Sequence, residues 1–137
     1  MQGHWKSPSA GDLVWCWFPE WPASAPGPKP RPALVEAVET REDGVVVRVV
    51  YGTSQRVDRL KTGEFAILRA SNPDAFALAG LALDTKFDFK AVMALPWTEQ
   101  FFKVPPLAPR GQTPLLGTLH PSLMRAAKAA FDAAASR

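Results

Sequence analysis

Cysteine and histidine are almost missing from this chain. Cys16 is the only cysteine, which excludes an intramolecular disulfide and fits a reducing compartment. It sits in an apolar, strand-like run, where a buried thiol serves as filler rather than as a nucleophile. The two histidines, His4 and His120, stand alone without ligand spacing, so no metal site and no cofactor are expected. His4 falls in a polar N-terminal stretch, and His120 precedes Pro121, where capping or solvation is the ordinary role. Neither supplies the base of a nucleophile–histidine–acid triad. Glycine-rich phosphate loops are missing too, since Gly11 and Gly52 are isolated. No apolar run approaches the roughly 20 residues of a membrane-spanning helix. Met1 to Lys6 shows no apolar signal region, so a cytoplasmic chain with no membrane partner is expected. No internal repeat and no heptad series is present.

Charge excess is small as well. Sixteen Lys and Arg against 13 Asp and Glu give a net charge of +3, compatible with a polyanionic partner but far from a histone-like excess. What the chain has in quantity is proline and tryptophan, 14 and 5 of 137 residues. Proline at that level divides a chain into short strands and stiff loops and argues against a helical bundle. The length suits a single domain. Hydrophobic residues at 47% and charged residues at 21% are ordinary for a globular protein.

Residues 1–10 read as a flexible N-terminal arm and 11–137 as one domain. Leu13 to Phe18 reads as a strand covered on both faces, with Trp15 and Trp17 on one side and Val14, Cys16 and Phe18 on the other. Pro19 to Pro30 is a semi-rigid proline-rich loop. Its Trp21 either folds back onto the domain or offers a stacking surface. Pro32–Glu39 and Val45–Tyr51 form strands around a turn at Arg41–Gly44. Shorter strands follow at Val57–Leu60 and Glu64–Leu68.

Asn72, Pro73 and Asp74 open a short helix that Gly80 stops. Two strands are expected near Lys86–Leu95, with Lys86, Asp88 and Lys90 on the solvent side, and Thr98–Val104. Pro105 to Pro114 is a second proline-rich loop. From Pro121 the period becomes helical, with Leu123, Ala127, Ala130, Phe131 and Ala134 on one stripe. The expected fold is mainly β with a C-terminal helix: a small, SH3-like, partly open β-barrel with a short inserted helix and a closing C-terminal helix.

This inventory still supports one reaction type. RNA carries its own nucleophile, the 2′-hydroxyl, so a ribonuclease needs orientation, proton transfer and stabilisation of charge on phosphorus. An arginine and a hydroxyl beside one phosphate meet much of that need. Arg31 lies between Pro30 and Pro32, in backbone that proline keeps extended, and a guanidinium is suited to phosphate oxygens. Taken alone, such an arginine is more often merely solvated. The predicted hairpin, however, brings Arg31 at the start of one strand against Thr53 or Ser54 at the end of the next.

Gly11-Asp12-Leu13-Val14-Trp15, then Arg31-Pro32-Ala33-Leu34-Val35, resembles the opening of the PemK/MazF-type toxins of bacterial toxin–antitoxin systems. The resemblance continues through Val49-Val50-Tyr51-Gly52-Thr53-Ser54 and Leu81-Ala82-Leu83-Asp84-Thr85-Lys86-Phe87-Asp88, and ends with Leu116-Gly117-Thr118-Leu119. It implies an SH3-like barrel, a homodimer, cleavage of single-stranded RNA without a metal, and a cognate antitoxin protein. Arg31 then matches the family's catalytic arginine and Thr53 its catalytic threonine, with Ser54 competing one residue along. Trp21, Lys29, Arg48, Gln55 and Arg56 are the candidate RNA contacts. The chain departs from the family in the proline-rich loop at Pro19–Pro30, where a glycine-rich polar run is usual, and in the added loop at Pro105–Pro114. A non-catalytic SH3-like module that binds RNA or protein is the alternative.

Overall fold

The computed structural model describes residues 5–136. Six strands make one antiparallel sheet: β1 (Asp12–Cys16), β2 (Arg31–Arg41), β3 (Gly44–Thr53), β4 (Glu64–Ile67), β5 (Thr85–Pro96) and β6 (Leu115–Thr118). Their spatial order is β4-β5-β3-β2-β1-β6. The outer strands β4 and β6 do not pair, so the sheet is not closed into a barrel. Two helices complete the fold, α1 (Pro73–Ala79) and α2 (Met124–Ala135). The mainly β fold with an inserted helix and a C-terminal helix is the one that the sequence pattern implies.

Alternation along the central strands builds two cores, one on each face of the sheet. Leu13, Leu34, Val50, Phe87 and Leu116 face α1 and α2, meeting Phe76, Ala79, Ala127 and Ala130. Val14, Cys16, Val35, Val47 and Val49 face the other way, against Trp97, Phe101 and Phe102. Cys16 is fully buried in that second core, and burial pushes its thiol pKa well up, which leaves it an inert filler. The β3–β5 register shifts between Val50 and Tyr51. Val50 faces Val92 but Tyr51 faces Asp88, so β5 bulges over residues 89–91 and serves β3 with two separate halves.

α1 forms as its sequence signals imply. The Asn72 side chain accepts the Ala75 N–H at 3.1 Å, Pro73 occupies the first turn, and Gly80 ends the helix in a left-handed conformation (φ 73°). His120 caps the short 3-10 turn Pro121–Leu123, its Nδ1 accepting the Ser122 N–H at 3.0 Å. The apolar stripe of α2 buries Ala127 and Ala130 but leaves Phe131 45% exposed, its ring meeting Phe89 edge-on.

Several elements differ from the expectation. Residues 57–60 are turns, not a strand, because Arg56 adopts a left-handed φ of 51° and its carbonyl accepts the Arg59 N–H. Residues 98–104 are not a strand either. The Thr98 carbonyl takes the N–H groups of both Phe101 and Phe102, a turn that folds the two rings into the core, and Phe102 keeps only a single bridge to Cys16. Leu115–Thr118 is a strand because β1 has a free edge to offer it. Lys86 is buried, not solvated, because it finds an acid inside.

The arm is tethered over its described part. Trp5 packs edge-on against Trp97 at 5.7 Å, and Trp97 Nε1 donates to the Lys6 carbonyl. His4 lies outside the described residues. Among the described residues, no helix is long and apolar enough to cross a membrane.

Candidate functional site

The β2–β3 hairpin positions the site. Its pairs run from Arg41↔Gly44 at the turn to Ala33↔Tyr51 near the open end. The last pair is Ala33↔Tyr51, and continuing that register by two steps would set Arg31 across from Thr53. Gly52 makes the close approach possible. A Cβ there would overlap the Pro32 carbonyl oxygen and lie 2.7 Å from Phe87 Cε1. Arg31, Thr53 and Ser54 line one open depression of about 190 Å³, together with Lys29, Trp15 and Leu83.

Arg31 and Thr53 each have a visible support. The Arg31 guanidinium lies 5.6 Å from the centroid of the Tyr51 ring, a cation–π contact that orients it without occupying its N–H donors. Tyr51 is in turn braced edge-on by Phe18 at 5.2 Å. Among the described residues, Arg31 has no carboxylate partner, which leaves its donors available to an anion. Thr53 Oγ1 accepts the Gln55 N–H at 3.1 Å. That bond uses an oxygen lone pair and leaves the hydroxyl hydrogen free to point elsewhere. Ser54 is exposed, while Thr53 is half-buried.

A buried ion pair stands behind Thr53. Lys86, paired with Thr53 across β3 and β5, donates to Glu64 Oε1 at 2.9 Å and to the Arg59 carbonyl at 3.1 Å. Glu64 Oε1 also accepts the Lys61 N–H at 2.7 Å. Both side chains are 7% exposed. Burial alone would raise the Glu64 pKa. The Lys61 N–H and the Lys86 ammonium together outweigh it and hold the carboxyl below its usual range. This network pins the turn at residues 54–63 to the sheet next to the site.

The remaining candidates disperse. Gln55 and Arg56 follow in the turn beyond Ser54 but do not line the depression. Trp21 stands 92% exposed in the first proline-rich loop, on the stacking-surface side of the alternatives the sequence left open. Arg48 lies five residues before Thr53 on β3, roughly 17 Å along the strand, and is paired with Glu36 at 2.9 Å. Sequence reasoning gave no role to Tyr51, Trp15 or the Lys86–Glu64 pair. Tyr51 could have been found from its register, two places before Thr53 on the same face. The Lys86–Glu64 contact has no local signal.

A solved structure similar to this chain is an endoribonuclease in complex with its cognate antitoxin from Mycobacterial species. The two superpose with a TM-score of 0.54 at 16% sequence identity, over 94% of this chain and 95% of that one. At that identity the likeness shows the fold. No family model matches the sequence, and no curated protein matches it.

Proposed function

We propose that this chain is an endoribonuclease toxin of the PemK/MazF type, cleaving single-stranded RNA without a metal. The supporting observation is the shared depression of Arg31 and Thr53 at the open end of the hairpin. The ribose 2′-hydroxyl attacks phosphorus, the bond from phosphorus to the 5′-oxygen breaks, and the 2′-proton is lost as the 5′-oxygen gains one. Arg31 stabilises the charge that builds on the phosphoryl oxygens, and the Thr53 hydroxyl donates to one of them. Lys29, exposed on the rim, adds a cation for the neighbouring backbone. Thr53 is the better candidate than Ser54, because its oxygen is already fixed by the Gln55 amide.

The remaining parts of this reading are a cytoplasmic homodimer and a cognate antitoxin that covers the RNA groove. The fold shared with an antitoxin-bound endoribonuclease supports the antitoxin partner. The test is purified protein with several single-stranded RNAs in EDTA, beside Arg31→Ala. Cleavage by the wild type and its loss in the variant are expected. Intact RNA in both tubes sinks the proposal.

The exposed Trp21 favours a second reading, a module that binds RNA without cutting it. Salt-sensitive RNA binding with no cleavage in any buffer would establish that one.

A further inference from the structure

The depression around Arg31 and Thr53 adjoins a second hollow of about 280 Å³, and the two share Trp15, Pro32 and Ala82 as walls. Their chemistry is opposite. The first presents Lys29, Arg31 and the hydroxyl side chains Thr53, Ser54 and Thr85. The second is closed by Leu81 and by Pro105, Pro106 and Leu107 of the second proline-rich loop.

That loop stands on Trp15 with both feet. The Trp15 N–H donates to the Pro114 carbonyl at 2.8 Å, and the Trp15 carbonyl accepts the Lys103 N–H at 3.1 Å. Both ends of the loop are therefore tied to the Trp15 backbone. At its tip, Leu107 and Ala108 both adopt left-handed backbone, with φ of 67° and 40°, which is uncommon for residues with a side chain. Leu107 is 100% exposed there. An apolar side chain held in water on a stiff loop adds nothing to either core.

We infer that this hollow is a base subsite: it receives the nucleobase of the nucleotide whose phosphate Arg31 holds. A nucleotide joins an anion to a flat, largely apolar ring, and the two adjoining hollows present a cationic wall and an apolar one in that same order. Trp15 supplies an aromatic surface at the boundary, and the prolines and Leu107 close on the base without hydrogen-bond readout. Stacking of that kind tolerates many bases, so this subsite anchors RNA more than it selects a sequence. The added loop, which has no place in the toxin pattern the sequence resembles, thereby acquires a role. The inference rests on the proposed function for the phosphate at Arg31, but not on cleavage.

The experiment is an NMR titration with 2′-O-methyl dinucleotides of each base, which cannot be cut, and with the same dinucleotides carrying one abasic ribose. The Trp15 indole N–H and the Leu107 methyl signals are expected to shift with base-containing probes and not at the abasic position. Trp15→Leu is expected to weaken base-containing probes about tenfold or more, the scale of one lost stacking contact, and to weaken abasic probes far less. Leu107→Ser, on a fully exposed side chain, gives a loss of the same sign without risk to the fold.

Equal binding of abasic and base-containing probes overturns the subsite, as does the absence of any binding. If RNA is cleaved yet the two probe types bind alike, the nuclease reading survives and the subsite falls. If no RNA is cleaved but base-dependent shifts appear and Arg31→Ala removes them, the subsite stands and the nuclease reading falls.

Discussion

Gly52→Ala isolates the geometry that brings Arg31 and Thr53 together. The residue is buried in β3 and its backbone does not need the left-handed region, so sterics alone decide the outcome. The added methyl meets the Pro32 carbonyl oxygen and, at 2.7 Å, Phe87 Cε1. Neither neighbour is the loose end of a flexible side chain: one is backbone of β2, the other a ring fully buried in the core. Overpacking of this kind costs about 1–3 kcal/mol, and the stiffer unfolded chain returns about 0.4–1 kcal/mol. A net loss of about 1–2 kcal/mol corresponds to a fall in Tm of roughly 3–8 °C for a domain this size.

Because β2 and β3 must separate to make room, cleavage should fall by more than the stability loss explains at a temperature where the variant is folded. Gly111→Ala is the control. Its added Cβ touches nothing within 4 Å, but its φ of 89° makes it pay a backbone strain. Thermal melts followed by circular dichroism, beside a fluorogenic RNA assay at 25 °C, read both effects. A Gly52→Ala protein with unchanged Tm and full activity refutes the close approach.

Removing Lys86 should strand Glu64. Lys86→Ala is expected to destabilise by about 3–5 kcal/mol, read by urea denaturation, while Lys86→Met combined with Glu64→Leu recovers most of the loss. Glu64, whose folded pKa is lowered, contributes stability that is complete above the ordinary carboxylate pKa of about 4.3. That contribution fades as pH drops through the lower folded value, so Glu64→Gln should flatten the acid limb of a stability–pH curve. Asn72→Ala removes the α1 cap and should cost about 1 kcal/mol in a thermal melt, with no effect on cleavage. Tyr51→Leu takes the ring from beneath Arg31, worth about 0.5–1 kcal/mol, and should lower kcat/KM severalfold, whereas Tyr51→Phe keeps the ring and should not.

Local signals in the sequence were legible wherever physics acts locally. The α1 helix reads directly from Asn72, Pro73 and Gly80, because caps are short-range. The β2–β3 hairpin reads from its β-branched run and polar turn, and its register suffices to bring Arg31 to Thr53. Failures arise where a distant partner decides. Val57 has β-propensity, but the left-handed turn at Arg56 ends the extended chain before it. Phe101 and Phe102 alternate poorly as a strand because both go into one core. Leu115–Thr118 becomes a strand only through the open edge of β1.

Lys86 reads as solvated because nothing nearby in sequence announces Glu64, 22 residues away. In the candidate site the two central residues were legible and their supports were not. Tyr51, Trp15 and the loop standing on Trp15 reach the depression through the tertiary fold.

The proposed nuclease requires Arg31 and Thr53 to act on one phosphate. A double-mutant cycle on kcat/KM for RNA cleavage in EDTA, with Arg31→Ala, Thr53→Val and the pair, measures that coupling. The predicted result is strong non-additivity, the double variant no slower than the slower single one, with Ser54→Ala near wild type. Additive losses, or a wild-type protein that leaves RNA intact, would contradict it.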